Sequence, residues 1–375
     1  MRVLLTGGGT GGHVYPALAI AETIKKKDPQ AEIAFVGTKK GIENKLVTAA
    51  GYKLYHVEIS GIRRSLSPKN IKTAYLILTS PHKAKKIIRE FAPDIVVGTG
   101  GYVSWPLLRA ASDMGIPAVV HESNAYPGLA VRKLQKYVDV TLTNFEETAE
   151  RLDKSYKIVN VGNPMRVRPA DMTGSEAKQT LGIDENDFTV LSFGGSLGAE
   201  QVNKAMLTVI KDFSMKKGNV THCHAWGSAY CEEYTAKAAE AGIEGEKIRL
   251  SEYIYDMPKY MAAADAVICR AGAMTLSELA IMGKPAILIP SPNVTDNHQY
   301  KNAKVVADRG GAFLVCEGEN INREIVDCLE KLYGDKALRE KMSENISAMA
   351  RHDAGDAIYN EMVRLITVNE KIKKR

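Results

Sequence analysis

The sequence predicts an α/β protein made of two doubly wound parallel sheets, with the carboxyl ends of their strands facing a shared cleft. Three observations predict it. Short apolar, β-branched runs alternate with helical stretches, the alternation breaks once near the middle and restarts, and each half opens with a strand that runs directly into glycines and then a helix. A chain of 375 residues suits two such domains, each large enough to bury most of its apolar surface.

In the first half, Val3–Thr6, Ile33–Val36, Asp94–Gly98, Pro117–His121 and Val138–Thr143 read as buried strands, and Pro16–Lys27 and Pro81–Phe91 as helices. Gly162-Asn163-Pro164 is a turn-forming tripeptide. After it the rhythm resumes at Phe188–Phe193 and continues through Val220–Ala225, Ile248–Glu252, Ala266–Cys269, Pro285–Ile289 and Ala312–Cys316. The expected division is a first domain over 1–163, a second over 164–345, and a helical tail over 346–375 that packs near the domain junction and frays at its basic end.

Hydrophobic residues at 45% and charged residues at 25% lie in the globular range and exclude a disordered or fibrous chain. The N-terminal Met1-Arg2-Val3-Leu4-Leu5-Thr6 is too short for the apolar core of a signal peptide, and no apolar stretch approaches the roughly 20 residues of a spanning helix. Five cysteines, all in the second half and without paired metal-ligand spacing, read as free thiols in a reducing cytoplasm. His222-Cys223-His224 reads as ordinary strand, since alternation turns the central residue away from its neighbours.

The chemistry sits in the turns. Gly7-Gly8-Gly9-Thr10-Gly11-Gly12-His13 follows a strand and precedes an amphipathic helix in which Pro16 suits the first turn. Glycines let a backbone approach an anion, and the unpaired N–H groups of a helix N-terminus favour negative charge there. The loop lacks the Lys-Ser/Thr ending of a Walker motif, and Gly37-Thr38-Lys39-Lys40 supplies no clear acid for a dinucleotide ribose. His13, at the start of that helix, is either a neutral general base or a histidine bonded into the turn. Gly98-Thr99-Gly100-Gly101-Tyr102 is a second strand-end turn, and the next strand delivers His121-Glu122-Ser123-Asn124 to the same rim, where Glu122 and Asn124 can also be simple helix caps.

In the second half, Gly194-Gly195-Ser196-Leu197-Gly198-Ala199 can offer N–H groups and a hydroxyl to a phosphate, and Arg166 can bring a fixed charge. Cys269-Arg270-Ala271-Gly272-Ala273-Met274-Thr275 is another strand, turn and helix start, and Glu278 one turn later can accept two hydrogen bonds from a ribose diol or stand as a plain surface carboxylate. No Asp-x-Asp motif occurs, so no obligatory bound metal is expected, with Mg²⁺ at most stimulatory.

Taken together, GGGTGGHVYPALAIA, GTGGYVSWP, HESNAYPG, GNPMR, FGGSLGAE, CRAGAMTLSELA and DNHQYKNA resemble, in order and spacing over roughly residues 1–303, the MurG family of bacterial N-acetylglucosaminyltransferases, glycosyltransferase family 28. The resemblance implies two Rossmann-like domains in the GT-B arrangement. It further implies inverting transfer of N-acetylglucosamine from UDP-GlcNAc to the C4 hydroxyl of undecaprenyl-pyrophosphoryl N-acetylmuramoyl-pentapeptide, giving lipid II from lipid I. By that resemblance the first domain holds the lipid acceptor, with Gly100, Gly101, Tyr102 and His121 near it. Thr10, Gly11, Gly12 and Asn124 approach the donor from the first domain. Arg166 and Ser196 meet its phosphates, Ile254 the uracil through its backbone, Glu278 the ribose and Gln299 the sugar, while Ala273, Met274 and Thr275 form the turn against the nucleotide. His13 is then the expected base and Glu122 its rival. Leu197 and His298 stand where many members carry glutamine.

Between Ile62 and Glu90 eight basic residues, among them Arg63, Arg64, Lys69, Lys72, Lys83, Lys85 and Lys86, face one acid. They flank an apolar stretch containing Leu76, Ile77 and Leu78, a pattern suited to peripheral docking on an anionic membrane surface, expected to be the cytoplasmic face of the bacterial cell membrane. Nucleic acid is not expected as a partner, because no aromatic interleaving accompanies the charge. The alternatives are a membrane-docked, non-catalytic UDP-sugar sensor and another enzyme of the same fold, such as a glycolipid synthase or a UDP-GlcNAc 2-epimerase.

Overall fold

The computed structural model describes residues 1–61, 68–165 and 172–373, and the chain divides into two compact units, Met1–Arg166 with Arg351–Arg375, and Val167–Ala350. Arg63, Arg64 and Arg166 lie outside the described residues, as does the side chain of Lys69.

The first unit runs β1 (Arg2–Thr6), α1 (Gly11–Lys27), β2 (Glu32–Gly37), α2 (Glu43–Ala49), β3 (Lys53–His56), α3 (Lys69–Phe91), β4 (Ile95–Gly98), α4 (Ser104–Asp113), β5 (Ala118–Glu122), α5 (Leu129–Leu134), β6 (Val140–Thr143), α6 (Glu146–Ala149) and β7 (Ile158–Asn160). Its strands form one parallel sheet in the order β3-β2-β1-β4-β5-β6-β7. Period-2 alternation fills both faces: Val3 and Leu5 join one apolar cluster with Ala17, Ile20 and Ile24 of α1, whereas Leu4 joins the opposite one with Leu76 and Ile88 of α3 and Leu107 of α4.

Both prolines expected near helix starts lie well inside longer helices. α1 begins at Gly11, five residues before Pro16, because glycines cost little in a first turn whose N–H groups have no intrahelical acceptor. α3 begins at Lys69, twelve residues before Pro81. Pro81 lacks the N–H that would bond the carbonyl of Ile77, and the Trp105 indole nitrogen, at 3.1 Å, donates to that carbonyl instead. A helix defect is thereby satisfied from α4.

The second unit runs α7 (Gly174–Thr180), β8 (Phe188–Phe193), α8 (Glu200–Val209), β9 (Val220–Ala225), α9 (Cys231–Glu240), β10 (Ile248–Ser251), α10 (Met257–Ala263), β11 (Ala266–Cys269), α11 (Ala273–Met282), β12 (Ala286–Leu288), α12 (His298–Asp308), β13 (Ala312–Leu314), α13 (Ile321–Gly334) and α14 (Lys336–Ser347). Its parallel sheet is ordered β10-β9-β8-β11-β12-β13. His222 and His224 share a face of β9, as the strand reading requires, and both bond the Ser192 hydroxyl, at 2.8 and 2.6 Å, while Ser214 closes on the other nitrogen of His222 at 2.8 Å.

The chain then returns to the first unit as α15 (Ala354–Lys373), which lies on α1. Ile358, Met362 and Leu365 enter the core, Lys27 and Asp356 pair at 3.1 Å, and Gly355 sits where a Cβ would come within 2.8 Å of the Thr23 hydroxyl. Residues 346–373 are thus shared, the end of α14 staying with the second unit and α15 completing the core of the first.

Candidate functional site

In each sheet the strand order reverses beside the first strand of its unit, the position at which doubly wound sheets bind ligands. In the first unit the turns after β1 and β4 flank that point. Thr10, extended at φ −145°, is the N-cap of α1, yet no side chain caps the helix. The Thr10 hydroxyl bonds His13 Nδ1 at 3.1 Å, and the Thr99 hydroxyl, at the end of β4, donates to the His13 carbonyl at 2.6 Å. The helix N-terminus therefore keeps its anion-seeking character, with Gly11 and Gly12 in its first turn.

Gly100 and Gly101 wall the imidazole. Their φ angles are +94° and +73°, and a Cβ on Gly100 would lie 3.0 Å from His13 Cδ2, while one on Gly101 would lie 2.5 Å from the Gly8 carbonyl and 3.1 Å from His13 Nδ1. Ser104 Oγ donates to the Gly100 carbonyl at 2.7 Å and holds this turn. The Tyr102 ring covers Gly9 and Gly61. Burial first, then the nearby Glu43 charge, raises the Tyr102 phenol above its ordinary pKa and keeps it a neutral donor.

Two expected residues at the end of β5 have other work. His121 is fully buried, and its Nε2–H donates to the Gly162 carbonyl at 2.8 Å. Burial lowers its pKa to about 4. Burial and the bond to the Gly162 carbonyl commit the ring to the protein interior rather than to the exposed rim where an acceptor contact was expected. Glu122, read as a rival base, is also buried: one oxygen accepts from the Asn124 amide N–H and side chain, both at 3.0 Å, and the other from Gly128 N–H at 2.9 Å. Burial pushes its carboxyl up despite these bonds. The carboxylate thus shapes the turn that presents Asn124 rather than capping a helix, since no side chain caps α5.

In the second unit the turns after β8 and β11 take the equivalent places. Gly195 and Gly198 adopt φ +103° and +86°, and a Cβ on Gly198 would strike the Trp226 carbonyl at 2.1 Å. Gly195, Ser196 and Leu197 are exposed ahead of α8. Gly272 caps α11 through its extended backbone, Ala273 is buried and Met274 and Thr275 are half-buried at the helix start. Arg270 holds the turn, bonding the Ile289 carbonyl at 3.1 Å and pairing with Glu317 at 2.5 Å.

Glu278, on the second turn of α11, is half-buried, and burial raises its carboxyl to about 7. Among the described residues nothing donates to it or pairs with it. An unpartnered, partly desolvated carboxylate beside a strand-end turn is a group open to donors. Ile254 is buried after β10 between the exposed Tyr253 and Tyr255. At the start of α12, Gln299 Oε1 accepts from Ser291 N–H at 2.9 Å, which commits the oxygen and leaves the amide NH₂ as the donor. The turn before it strains two successive residues, Asp296 and Asn297, into left-handed backbone at φ 56° and 51°. His298 closes that turn by donating Nδ1–H to the Thr295 carbonyl at 2.8 Å, a local role distinct from that of its neighbour. The described residues contain no cluster of three or more potential metal ligands.

The sequence reading missed Thr99, Ser104 and Glu43. The threonine and serine were visible within the quoted motifs, but the Thr99 bond to the His13 carbonyl depends on the packing of β4 against β1, and the Ser104 bond to the Gly100 carbonyl on the local turn geometry. Glu43 gave no signal, because it acts on a loop more than thirty residues away.

Two doubly wound domains, each with a glycine turn and a helix N-terminus at its switch point, are the architecture of the GT-B enzymes. The chain belongs to glycosyltransferase family 28, whose N-terminal domain profile matches residues 3–143 and whose C-terminal domain profile matches residues 189–358. It is 39% identical over 372 residues to the UDP-N-acetylglucosamine--N-acetylmuramyl-(pentapeptide) pyrophosphoryl-undecaprenol N-acetylglucosamine transferase of Limosilactobacillus fermentum, covering 99% of this chain and all of the relative. The enzyme of the same name from Caldicellulosiruptor saccharolyticus is 40% identical over 94% of this chain and 95% of its own. A crystal structure of Acinetobacter baumannii MurG superposes with a TM-score of 0.79 at 27% identity, over 97% of this chain and 99% of that one. UDP-GlcNAc 2-epimerase from Neisseria meningitidis, at 14% identity and a TM-score of 0.64 over 97% of this chain and all of that one, shares the fold alone.

Proposed function

We propose that this glycosyltransferase moves N-acetylglucosamine from UDP-GlcNAc to the C4 hydroxyl of undecaprenyl-pyrophosphoryl N-acetylmuramoyl-pentapeptide, with inversion, converting lipid I to lipid II. The observation that carries this is the end-to-end match to relatives named for that transfer. The local geometry supports it at both ends of the reaction. Glu278, with its raised carboxyl, suits the ribose diol, Gln299 offers NH₂ to the sugar, and Ser196 with its neighbouring glycines suits the diphosphate. Gly11, Gly12 and Asn124 belong to the first unit's contribution to the donor, and Tyr102 to the acceptor side.

The mechanism follows from charge. The acceptor hydroxyl attacks the anomeric carbon from the face opposite UDP, so an α-linked donor gives a β-linked product. His13 takes the hydroxyl proton as positive character builds on the sugar. The Thr10 bond and the glycine wall fix the plane of its ring. Negative charge gathers on the leaving diphosphate, where helix N-termini and Arg166 stabilise it. No obligatory metal is part of this proposal, and Mg²⁺ enters at most as a stimulant.

Docking to an anionic membrane, at its cytoplasmic face, belongs to the same reading, with an apolar face that keeps Leu78 of the expected patch and changes the rest. Leu76 is buried and Ile77 half-buried against the first unit's core, and Lys85 pairs with Asp113 at 2.9 Å. Helical spacing instead exposes Ile71, Tyr75 and Leu78 together, at 76%, 65% and 74%, with Lys72, Lys83 and Lys86 nearby. No described helix is long and apolar enough to cross a membrane.

The test is UDP release by wild type and His13→Ala, with and without the lipid-linked acceptor, and with the disaccharide product identified. Acceptor-dependent release by wild type and its loss in a donor-binding His13→Ala support the proposal. Donor turnover without acceptor would favour an epimerase, and donor binding with no turnover a sensor.

A further inference from the structure

Glu43 is 1% exposed at the start of α2, beneath the turn that follows β1. Among the described residues every partner it has is a donor: Thr38 N–H at 2.8 Å and the Thr38 hydroxyl at 2.7 Å on one oxygen, and Gly9 N–H at 3.4 Å on the other. Its oxygens act only as acceptors in these bonds. Among the described residues no cation pairs with it. A buried, unpaired carboxylate is costly to desolvate, and an apolar side chain would fill the same space without that cost. Three glycines clear room for it, since a Cβ at Gly8, Gly37 or Gly41 would lie 2.9, 2.5 or 2.1 Å from its side chain.

The neighbours of that space connect it to the proposed base. Gly9 lies under the Tyr102 ring, the Gly8 carbonyl lies against Gly101, Gly101 and Gly100 wall the His13 imidazole, and Thr10 bonds its Nδ1. We infer that Glu43 is a positioning residue for the transfer, pinning the turn at residues 7–12 through Gly9 N–H so that His13 is held in one orientation. This rests on the reading of His13 as base. By occupying the Gly9 N–H, Glu43 also divides the turn: its first half is anchored to protein, and its second, Gly11 and Gly12 at the N-terminus of α1, is left to meet an anion.

Glu43→Gln isolates the contact. The amide keeps its size and an oxygen for Thr38, but presents NH₂ to the Gly9 N–H, donor against donor. The intact enzyme is to be compared with this variant by steady-state kinetics, melting and amide hydrogen exchange of the peptide containing residues 7–13. The expected result is a tenfold or greater fall in kcat, unchanged KM for UDP-GlcNAc, a Tm within a few degrees of wild type, and faster exchange confined to residues 7–13. Unchanged exchange in that peptide, unchanged kcat, or a fall in kcat that is matched by lost donor affinity would each overturn the inference. Should wild type transfer nothing, the functional reading fails, yet the exchange experiment still decides whether Glu43 holds the turn.

Discussion

His13 and Glu278 divide the chemistry between a proton and a nucleotide, and their surroundings predict separable defects. His13 bonds Thr10 and packs against Gly100 and Gly101 of the first unit, so His13→Ala should lower kcat by about 10²- to 10⁴-fold, the usual worth of a positioned base, while UDP affinity measured by calorimetry stays within twofold. Glu278 carries a pH dependence. Its carboxyl titrates near 7 in the ligand-free protein, and only the ionised form accepts both ribose hydroxyls. UDP affinity should therefore fall as pH drops from 8 through 7 to 6, and Glu278→Gln should bind more weakly at pH 8 and lose most of that slope. A wild-type affinity that is flat across this range removes Glu278 from the ribose. At this scale the sequence announced residues whose chemistry is local, such as His13 beside its glycines. It misled at His121 and Glu122, because the direction of a side chain at a strand end depends on the pleat and on what the following turn needs.

Elements were legible to the extent that burial makes a strand uniformly apolar. The runs around Val3, Ile95 and Val190 matched strands within a residue or two, whereas α1 and α3 were read as starting late because prolines were taken as first-turn residues. That error matters for α3, whose helical register keeps Leu78 exposed as expected, buries Leu76, and adds Ile71 and Tyr75 to the exposed apolar face. Tyr75→Ser with Leu78→Ser should weaken binding to vesicles of anionic lipid at least tenfold, since each buried side chain is worth roughly 1.5–3 kcal/mol. The Tm should hardly change, and Leu76→Ser should do the reverse.

β9 makes a prediction of its own. His222 titrates near 3 and His224 lies well below 6.5, both because burial disfavours their charge. Above pH 6.5 they are neutral whether folded or not and cost nothing. Below 6.5 the unfolded chain binds protons that the folded one refuses, and stability falls by about 1.4 kcal/mol per pH unit for each histidine. Thermal melts between pH 7.5 and 4 should show the second unit losing Tm below 6.5, with a shallower loss in His224→Gln.

At the scale of the molecule, each unit has its own parallel sheet and apolar core, and the chain passes between them twice, the second time so that α15 can finish the first unit. The repeat of strand, glycine turn and helix made the two-domain plan readable, because each half restates the same solution to burying a parallel sheet. The return of α15 was not readable. Its apolar spacing marks an amphipathic helix, but nothing in that spacing says which core receives it.

The bond from Trp105 to the carbonyl freed by Pro81 has an optical consequence. The chain contains two tryptophans: Trp226 is sealed in the second unit, and Trp105 is tied to the backbone of the helix that presents Ile71, Tyr75 and Leu78. In Trp226→Phe the remaining indole becomes an unlabelled fluorophore fixed to α3. Its emission should shift when lipid vesicles are added and stay constant when UDP is added, so contact with a bilayer can be recorded apart from occupancy of the nucleotide site.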